Sequence, residues 1–229
     1  MKAEARSVAA SILISRWGTA QGQTWSIGRH AMIIGDARMI VPPDDCDTLV
    51  FDPPWNAAPT IPQRAWASSL VFTSGRHIGD AVARFGSSIA WQFVWDCAAC
   101  HARSNVPFQR YKACLWYGNI RDYRWRGARL DGTPDRPNGK KLSDLYVNSL
   151  ARLHADEPHP HAKPLEWVRC LIGNCAMGDV YDPFLGSGTT LIACEMTGRR
   201  CVGVEIEPAW AARTLDRASS LGLSVRRST

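Results

Sequence analysis

Asp52-Pro53-Pro54-Trp55 follows directly on the apolar run Leu49-Val50-Phe51. An acid, two prolines and an aromatic ring at the mouth of a buried strand make a site suited to holding a planar amine. Cys46-Asp47-Thr48 before the run are polar, and Pro59 and Pro62 after it cannot extend a sheet, so the strand is expected to end at Asp52. Open α/β sheets place their ligand sites at that carboxyl edge. The two prolines fix the backbone and remove two donors, which leaves carbonyl oxygens free to accept. Asp52 adds a second acceptor, and Trp55 offers a face for a flat ring. An exocyclic amino group on a nucleobase needs both. The plain alternative is a strand followed by a tight turn, with Trp55 as core filling.

A second stretch weighs against that alternative. Val180-Tyr181 leads into Asp182-Pro183-Phe184-Leu185-Gly186-Ser187-Gly188-Thr189-Thr190, and Leu191 to Met196 leaves it as a helix. Gly186 and Gly188 allow a tight turn and a close approach to a ligand where a Cβ would clash. Thr189 or Thr190 is expected to cap the helix. The third glycine of the dinucleotide fingerprint is replaced by Leu191, and no Lys-Ser or Lys-Thr follows Gly188 as in a phosphate-cradling loop. The loop therefore suits a nucleoside ligand without a phosphate chain. The strand Cys201 to Val204 comes next and ends in Glu205, placed to bind ribose hydroxyls.

Together the two motifs resemble the amino-group methyltransferases that use S-adenosylmethionine. The match is to the permuted, β-class DNA adenine-N6/cytosine-N4 members, in which the catalytic motif precedes the cofactor motif. Asp52-Pro53-Pro54-Trp55 matches the family's catalytic tetrapeptide, and Asp182-Pro183-Phe184-x-Gly186-x-Gly188 its cofactor loop. His159-Pro160-His161-Ala162-Lys163-Pro164-Leu165-Glu166 is similar to the family's helix start before that loop. Gly35-Asp36, after Met32-Ile33-Ile34, resembles its short acidic motif near the amino terminus. The resemblance runs from about residue 30 to residue 212. It implies Asp52, Pro53, Pro54 and Trp55 as catalytic residues and S-adenosylmethionine as cofactor. It implies Asp36, Lys163, Asp182, Phe184, Gly186, Ser187, Gly188, Thr189, Thr190 and Glu205 as the residues that bind that cofactor, with no metal.

The implied reaction is methyl transfer to adenine N6 of a base rotated out of double-stranded DNA, of restriction–modification type. Asp at the first tetrapeptide position is more often associated with adenine in the resembled family, and Ser with cytosine. Cytosine N4, an RNA adenine, and a non-catalytic nucleic-acid-binding partner subunit are the alternatives. Transfer to cytosine carbon 5 would need a cysteine nucleophile after a proline, and the chain has no Pro-Cys pair. The class also implies a possible homodimer.

The net charge of +6 is unevenly spread. Arg121, Arg124, Arg126, Arg129, Arg136, Lys140 and Lys141 face only Asp122, Asp131 and Asp135 in one stretch, with Tyr123 and Trp125 interleaved. Gly127, Gly132, Pro134, Pro137 and Gly139 make it a loop. Such a segment suits phosphate contacts and wedging into a base stack. Tyr123, Arg124, Trp125, Arg126, Arg129, Lys140 and Lys141 are the expected nucleic-acid contacts, within a target-recognition insertion over 119–150.

The elements that must position these residues read as alternating strands and helices. Strands are expected at Ile33 to Gly35, Leu49 to Phe51, Ser69 to Thr73, Ile89 to Trp95, Lys112 to Tyr117, Val180-Tyr181 and Cys201 to Val204. Helices are expected at Arg76 to Phe85, Leu165 to Cys175, Thr189 to Thr197 and Pro208 to Ser219, and a strand or helix at Val8 to Ile14. This alternation implies an α/β fold, a mostly parallel sheet with helices on both faces. The resemblance makes it Rossmann-like with a circularly permuted motif order. The 229 residues suffice for a single domain over 1–229. If the fold is the family's, the strand before Asp52 lies beside the strand before Asp182, and the chain's two ends lie close.

Cysteines at core-like positions (Cys114, Cys170, Cys194, Cys201) read as reduced thiols. Cys97-Ala98-Ala99-Cys100-His101 has the spacing of haem attachment or half a zinc site, but a zinc site lacks nearby ligands beyond Cys114. It is read as thiols at the end of a strand. Without an 18-residue apolar run or a convincing leader, the expected location is the cytoplasm of a bacterial or phage-infected cell.

Overall fold

The computed structural model describes residues 2–57, 61–62, 64–97, 111–123, 144–147 and 162–228. Its strands are β1 (Thr24–Ile27), β2 (His30–Ile34), β3 (Cys46–Phe51), β4 (Ser68–Ser74), β5 (Trp91–Asp96), β6 (Tyr111–Tyr117), β7 (Leu145–Val147), β8 (Asp179–Asp182), β9 (Cys201–Glu205) and β10 (Val225–Arg227). Its helices are α1 (Lys2–Trp17), α2 (Ile78–Phe85), α3 (Leu165–Cys175), α4 (Thr189–Met196) and α5 (Pro208–Ser220).

The strands form one sheet in the order β10-β1-β2-β9-β8-β3-β4-β6-β5-β7. From β2 to β4 every neighbour is parallel, which is the part that carries both motifs. Among the described residues the sheet is mixed, with five of its nine strand pairings parallel. β1 runs antiparallel to both β2 and β10, and β6 runs antiparallel to both β4 and β5. The strand before Asp52 does lie beside the strand before Asp182, with Leu49 opposite Tyr181. Segments from the two ends of the chain also meet: β10 pairs with β1, and Arg16 of α1 bonds Asp216 of α5 at 2.6 Å.

Alternation along the central strands splits the core between the two sheet faces. Val50, Leu70, Phe72, Cys114, Trp116, Val180 and Cys201 pack with α3, α4 and α5. Leu49, Phe51, Val71, Leu115, Tyr181, Val202 and Val204 pack on the other face with α2 and with Ala37, Ile61, Trp55 and Trp66 from loops. β4 is buried at every position, as a strand covered on both faces must be. Seven cysteines among the described residues are buried free thiols, Cys114, Cys170, Cys194 and Cys201 among them. No described helix is long and apolar enough to cross a membrane.

Several elements depart from the expectations. β3 begins at Cys46, because Thr48 satisfies its hydroxyl by donating to the Met177 carbonyl at 2.6 Å and is fully buried. The stretch at Val8 to Ile14 is part of α1, which runs on to Trp17. The helix expected from Arg76 begins as a 3₁₀ turn over Gly75–His77 and becomes α-helical only at Ile78. β5 starts at Trp91, two residues later than expected. Of the 119–150 stretch, only 119–123 and 144–147 are described, the latter containing β7.

Candidate active site

The parallel strands deliver one acid each to a common edge. Crossing the sheet, Asp36 follows β2, Glu205 ends β9, Asp182 ends β8 and Asp52 follows β3. Neighbouring strands are about 4.8 Å apart, so the four carboxylates form a row. Such a row offers acceptors to the donors of a ligand, with Asp36 and Asp52 each already in an ion pair. Asp36 is tied down locally: its carboxylate caps the 3₁₀ turn through the Arg38 amide at 3.0 Å and pairs with the Arg38 guanidinium at 2.5 Å.

Around Asp182 the backbone is shaped for close approach. Gly186 and Gly188 adopt φ values of 58° and 81°, conformations that a residue with a Cβ resists. A Cβ on Gly188 would also lie 2.7 Å from the Thr214 methyl group. The expected cap at Thr189 or Thr190 is not formed. Gly188 holds the cap position with no side-chain bond, and both threonines are buried in the first turn of α4. The Thr190 hydroxyl instead bonds Asp182.

The loop is held from three sides. Glu205 accepts from the Gly186 amide through Oε2 and from the Glu207 amide through Oε1, each at 2.7 Å. Thr214 of α5 donates to the Gly186 carbonyl at 3.0 Å, and Arg217 donates to the buried Ser187 carbonyl at 3.3 Å. Asp182 accepts from the Phe184 amide at 2.9 Å. Burial pushes Asp182 up to about 7, against the pull of its bonds to Thr190 and Phe184. Burial also raises Glu205 above the ordinary carboxylate range, while its backbone donors pull it down.

Asp52 sits on the next strand over, with Pro53 buried and Pro54 exposed. Trp55 opens a 3₁₀ turn over Trp55–Ala57, and its indole N–H donates to the Phe72 carbonyl at 3.0 Å. His77 already stacks on one face of that indole, with centroids 6.2 Å apart and planes at 11°. Trp55 is half-buried and packs against the core of that sheet face, and a second ring would have to use its other face or displace His77. Lys163, expected among the cofactor residues, makes an ion pair with Asp52.

Phe51 lies beneath both motifs. Its ring meets Trp55 edge-on at 6.0 Å and Phe184 edge-on at 5.3 Å, and the Arg84 guanidinium lies 4.7 Å from its centre. Phe51, His77, Thr214 and Arg217 were not marked by the sequence motifs. Tyr123 packs against Trp116 with centroids 6.2 Å apart. Arg124, Trp125, Arg126, Arg129, Lys140, Lys141, Cys100, His101 and His159 to His161 lie outside the described residues.

A glycine loop and Asp52 on one carboxyl edge of a parallel sheet region fit the fold of a Rossmann-like methyltransferase. A model of the DNA methylase family that groups N6 and N4 methyltransferases matches residues 101–214, and the chain belongs to that family. The matched span contains the Gly186–Gly188 loop and Glu205, whereas Asp52 precedes it. The type II methyltransferase M.SmaI of Serratia marcescens is 34% identical over 135 residues, which are 54% of this chain and 44% of that protein. The chain spans less than half the length of the relatives it matches.

Among solved structures, the M1.HpyAVI–SAM complex matches with a TM-score of 0.52 at 22% identity, over 76% of this chain and 89% of the other. PvuII DNA methyltransferase, which is cytosine-N4-specific, matches with a TM-score of 0.54 at 17% identity, over 89% and 94%. These likenesses establish the fold.

Proposed function

We propose that this chain transfers a methyl group from S-adenosylmethionine to the exocyclic amine of a DNA base, adenine N6 in the first instance. The carrying observation is the shared edge: Asp52 and Asp182 end adjacent parallel strands, so amine and cofactor would meet there. The cofactor has hydroxyls, a sulfonium and an ammonium but no phosphate, which fits four carboxylates and a loop without lysine. The residues that would hold it are Asp36, Asp182, Phe184, Gly186, Ser187, Gly188, Thr189, Thr190 and Glu205. When bound, it supplies an electrophilic methyl group on sulfur.

The remaining work falls to this chain's own groups. An exocyclic amine is a poor nucleophile because its lone pair is delocalised into the ring. Asp52 accepts one amino hydrogen and the Pro53 carbonyl the other, which favours a pyramidal nitrogen with a localised lone pair. Alignment and electrostatics then lower the barrier. Stacking on Trp55 offsets about 1–3 kcal/mol of the cost of unstacking the base. The 119–150 stretch, with Tyr123, Arg124, Trp125, Arg126, Arg129, Lys140 and Lys141, supplies the contacts to double-stranded DNA.

The choice of adenine rests on Asp52 at the first tetrapeptide position. Cytosine N4 presents the same pair of hydrogens and is the second reading. Asp52→Ala tests the central role: cofactor binding measured by calorimetry persists, while transfer falls by about 10²–10³. Undiminished transfer would remove Asp52 from the mechanism.

A further inference from the structure

Lys163 reaches across 111 residues of sequence to bond Oδ2 of Asp52. It stands immediately before α3, between the buried residues Ala162 and Pro164, so its backbone is fixed. Its ammonium lies 5.3 Å from the centre of the Phe72 ring, and that ring packs edge-on against Trp167 of α3 at 5.3 Å. The side chain is only 12% exposed, compared with 33% for Asp52. A carboxylate beside an ammonium so enclosed offsets the cost of keeping that charge out of water. The lysine is therefore bound to the acid of the tetrapeptide.

A carboxylate has two oxygens, each able to accept. With Oδ2 engaged by Lys163, Oδ1 is the oxygen left for a further donor. The pair also offsets the repulsion between Asp52 and Asp182 on the neighbouring strand, where Asp52 is one of the charges acting on Asp182. We propose that Lys163 is a positioning residue for Asp52: it locks the carboxylate so that Oδ1 meets the target amine, and it is not a ligand of the cofactor. This inference rests on the proposed methyl transfer and assigns Lys163 a different place within it.

The test compares Lys163→Met, Lys163→Arg, Asp52→Asn and the Lys163→Met/Asp52→Asn double variant with the wild-type chain. Folding is checked by circular dichroism, cofactor affinity by calorimetry, and kcat and KM with unmethylated DNA. Lys163→Gln takes the place of the methionine variant should that one not fold. Lys163→Met is expected to bind S-adenosylmethionine within about threefold of wild type while kcat falls about 10- to 100-fold, with KM for DNA little changed. The double variant is expected to be no slower than Asp52→Asn alone, because the lysine acts only through that acid. Lys163→Arg keeps the charge and should recover part of the loss.

A fall in cofactor affinity that matches the fall in kcat would make Lys163 a cofactor ligand and overturn the inference. Multiplying losses in the double variant, or an unchanged kcat in Lys163→Met, would overturn it too. Wild-type protein that binds cofactor and DNA yet transfers nothing overturns the proposed function itself, an outcome visible before any variant is made.

Discussion

Glu205 and Gly186 are joined by a 2.7 Å hydrogen bond from the glycine amide to the carboxylate. The second oxygen of the same carboxylate holds the Glu207 amide, so one buried acid fixes both the glycine loop and the turn after β9. An acid with both oxygens already holding backbone amides is rigid. Glu205→Ala leaves two amide donors without an acceptor, at a cost of about 1–3 kcal/mol. Cofactor affinity should fall about 10- to 100-fold, together with a lower melting temperature. Calorimetry that shows full affinity would mean the loop keeps its shape without this tether.

Phe51 packs edge-on against both Trp55 and Phe184. Phe51→Leu keeps the position apolar but removes both edge contacts, and should cost about 1–3 kcal/mol of stability. Cofactor affinity and base stacking should weaken together, the latter read by 2-aminopurine fluorescence in a DNA target. A change in one without the other would show that the two rings are positioned independently.

Gly203 is required by packing rather than by backbone conformation. A Cβ there would lie 2.5 Å from Leu185 Cδ2, and Leu185 belongs to the loop proposed to hold the cofactor. Gly203→Ala should push that loop away, costing about 1–3 kcal/mol and lowering cofactor affinity. Leu185→Ala in the same chain should restore part of the affinity by vacating the space. Failure of the second change to restore anything would place the fault elsewhere in β9.

Asp182 gives a pH dependence with a definite sign. Its pKa is raised to about 7 in the folded chain, against an ordinary value of 3.8. Between those values the native state binds more protons than the unfolded chain, so this group makes stability fall as pH rises, and the penalty is complete above about pH 7. Glu205 is shifted in the same direction and adds to the slope. Asp182→Asn should melt higher than wild type at about pH 8, with the advantage disappearing towards about pH 4. Thermal melts across that range check it, and a variant that melts lower at every pH would contradict the sign.

What the sequence made legible was local. α3 was read at its observed bounds because Leu165, Val168, Ile172 and Cys175 recur at helical spacing and Pro164 precedes them. The ends of β3, β8 and β9 were legible because each apolar run stops at an acid. β1 and β10 were missed because they are short and carry serines and arginines; their pairing, not their composition, makes them strands. The antiparallel placement of β6 between β4 and β5 was equally invisible, since strand direction leaves no mark on residue type. In the site, the tetrapeptide and the glycine loop were visible as motifs. The Lys163–Asp52 pair, the hold of Arg217 on Ser187 and the stacking of His77 on Trp55 depend on segments that only the fold brings together.

The most direct test is nucleoside mass spectrometry of unmethylated DNA incubated with the purified protein and S-adenosylmethionine, with the Asp52→Ala variant alongside. The wild-type chain is expected to yield N6-methyladenine, and the variant at most a trace. N4-methylcytosine would keep the mechanism and replace the base. No methylated base from a protein shown to bind the cofactor would contradict the account.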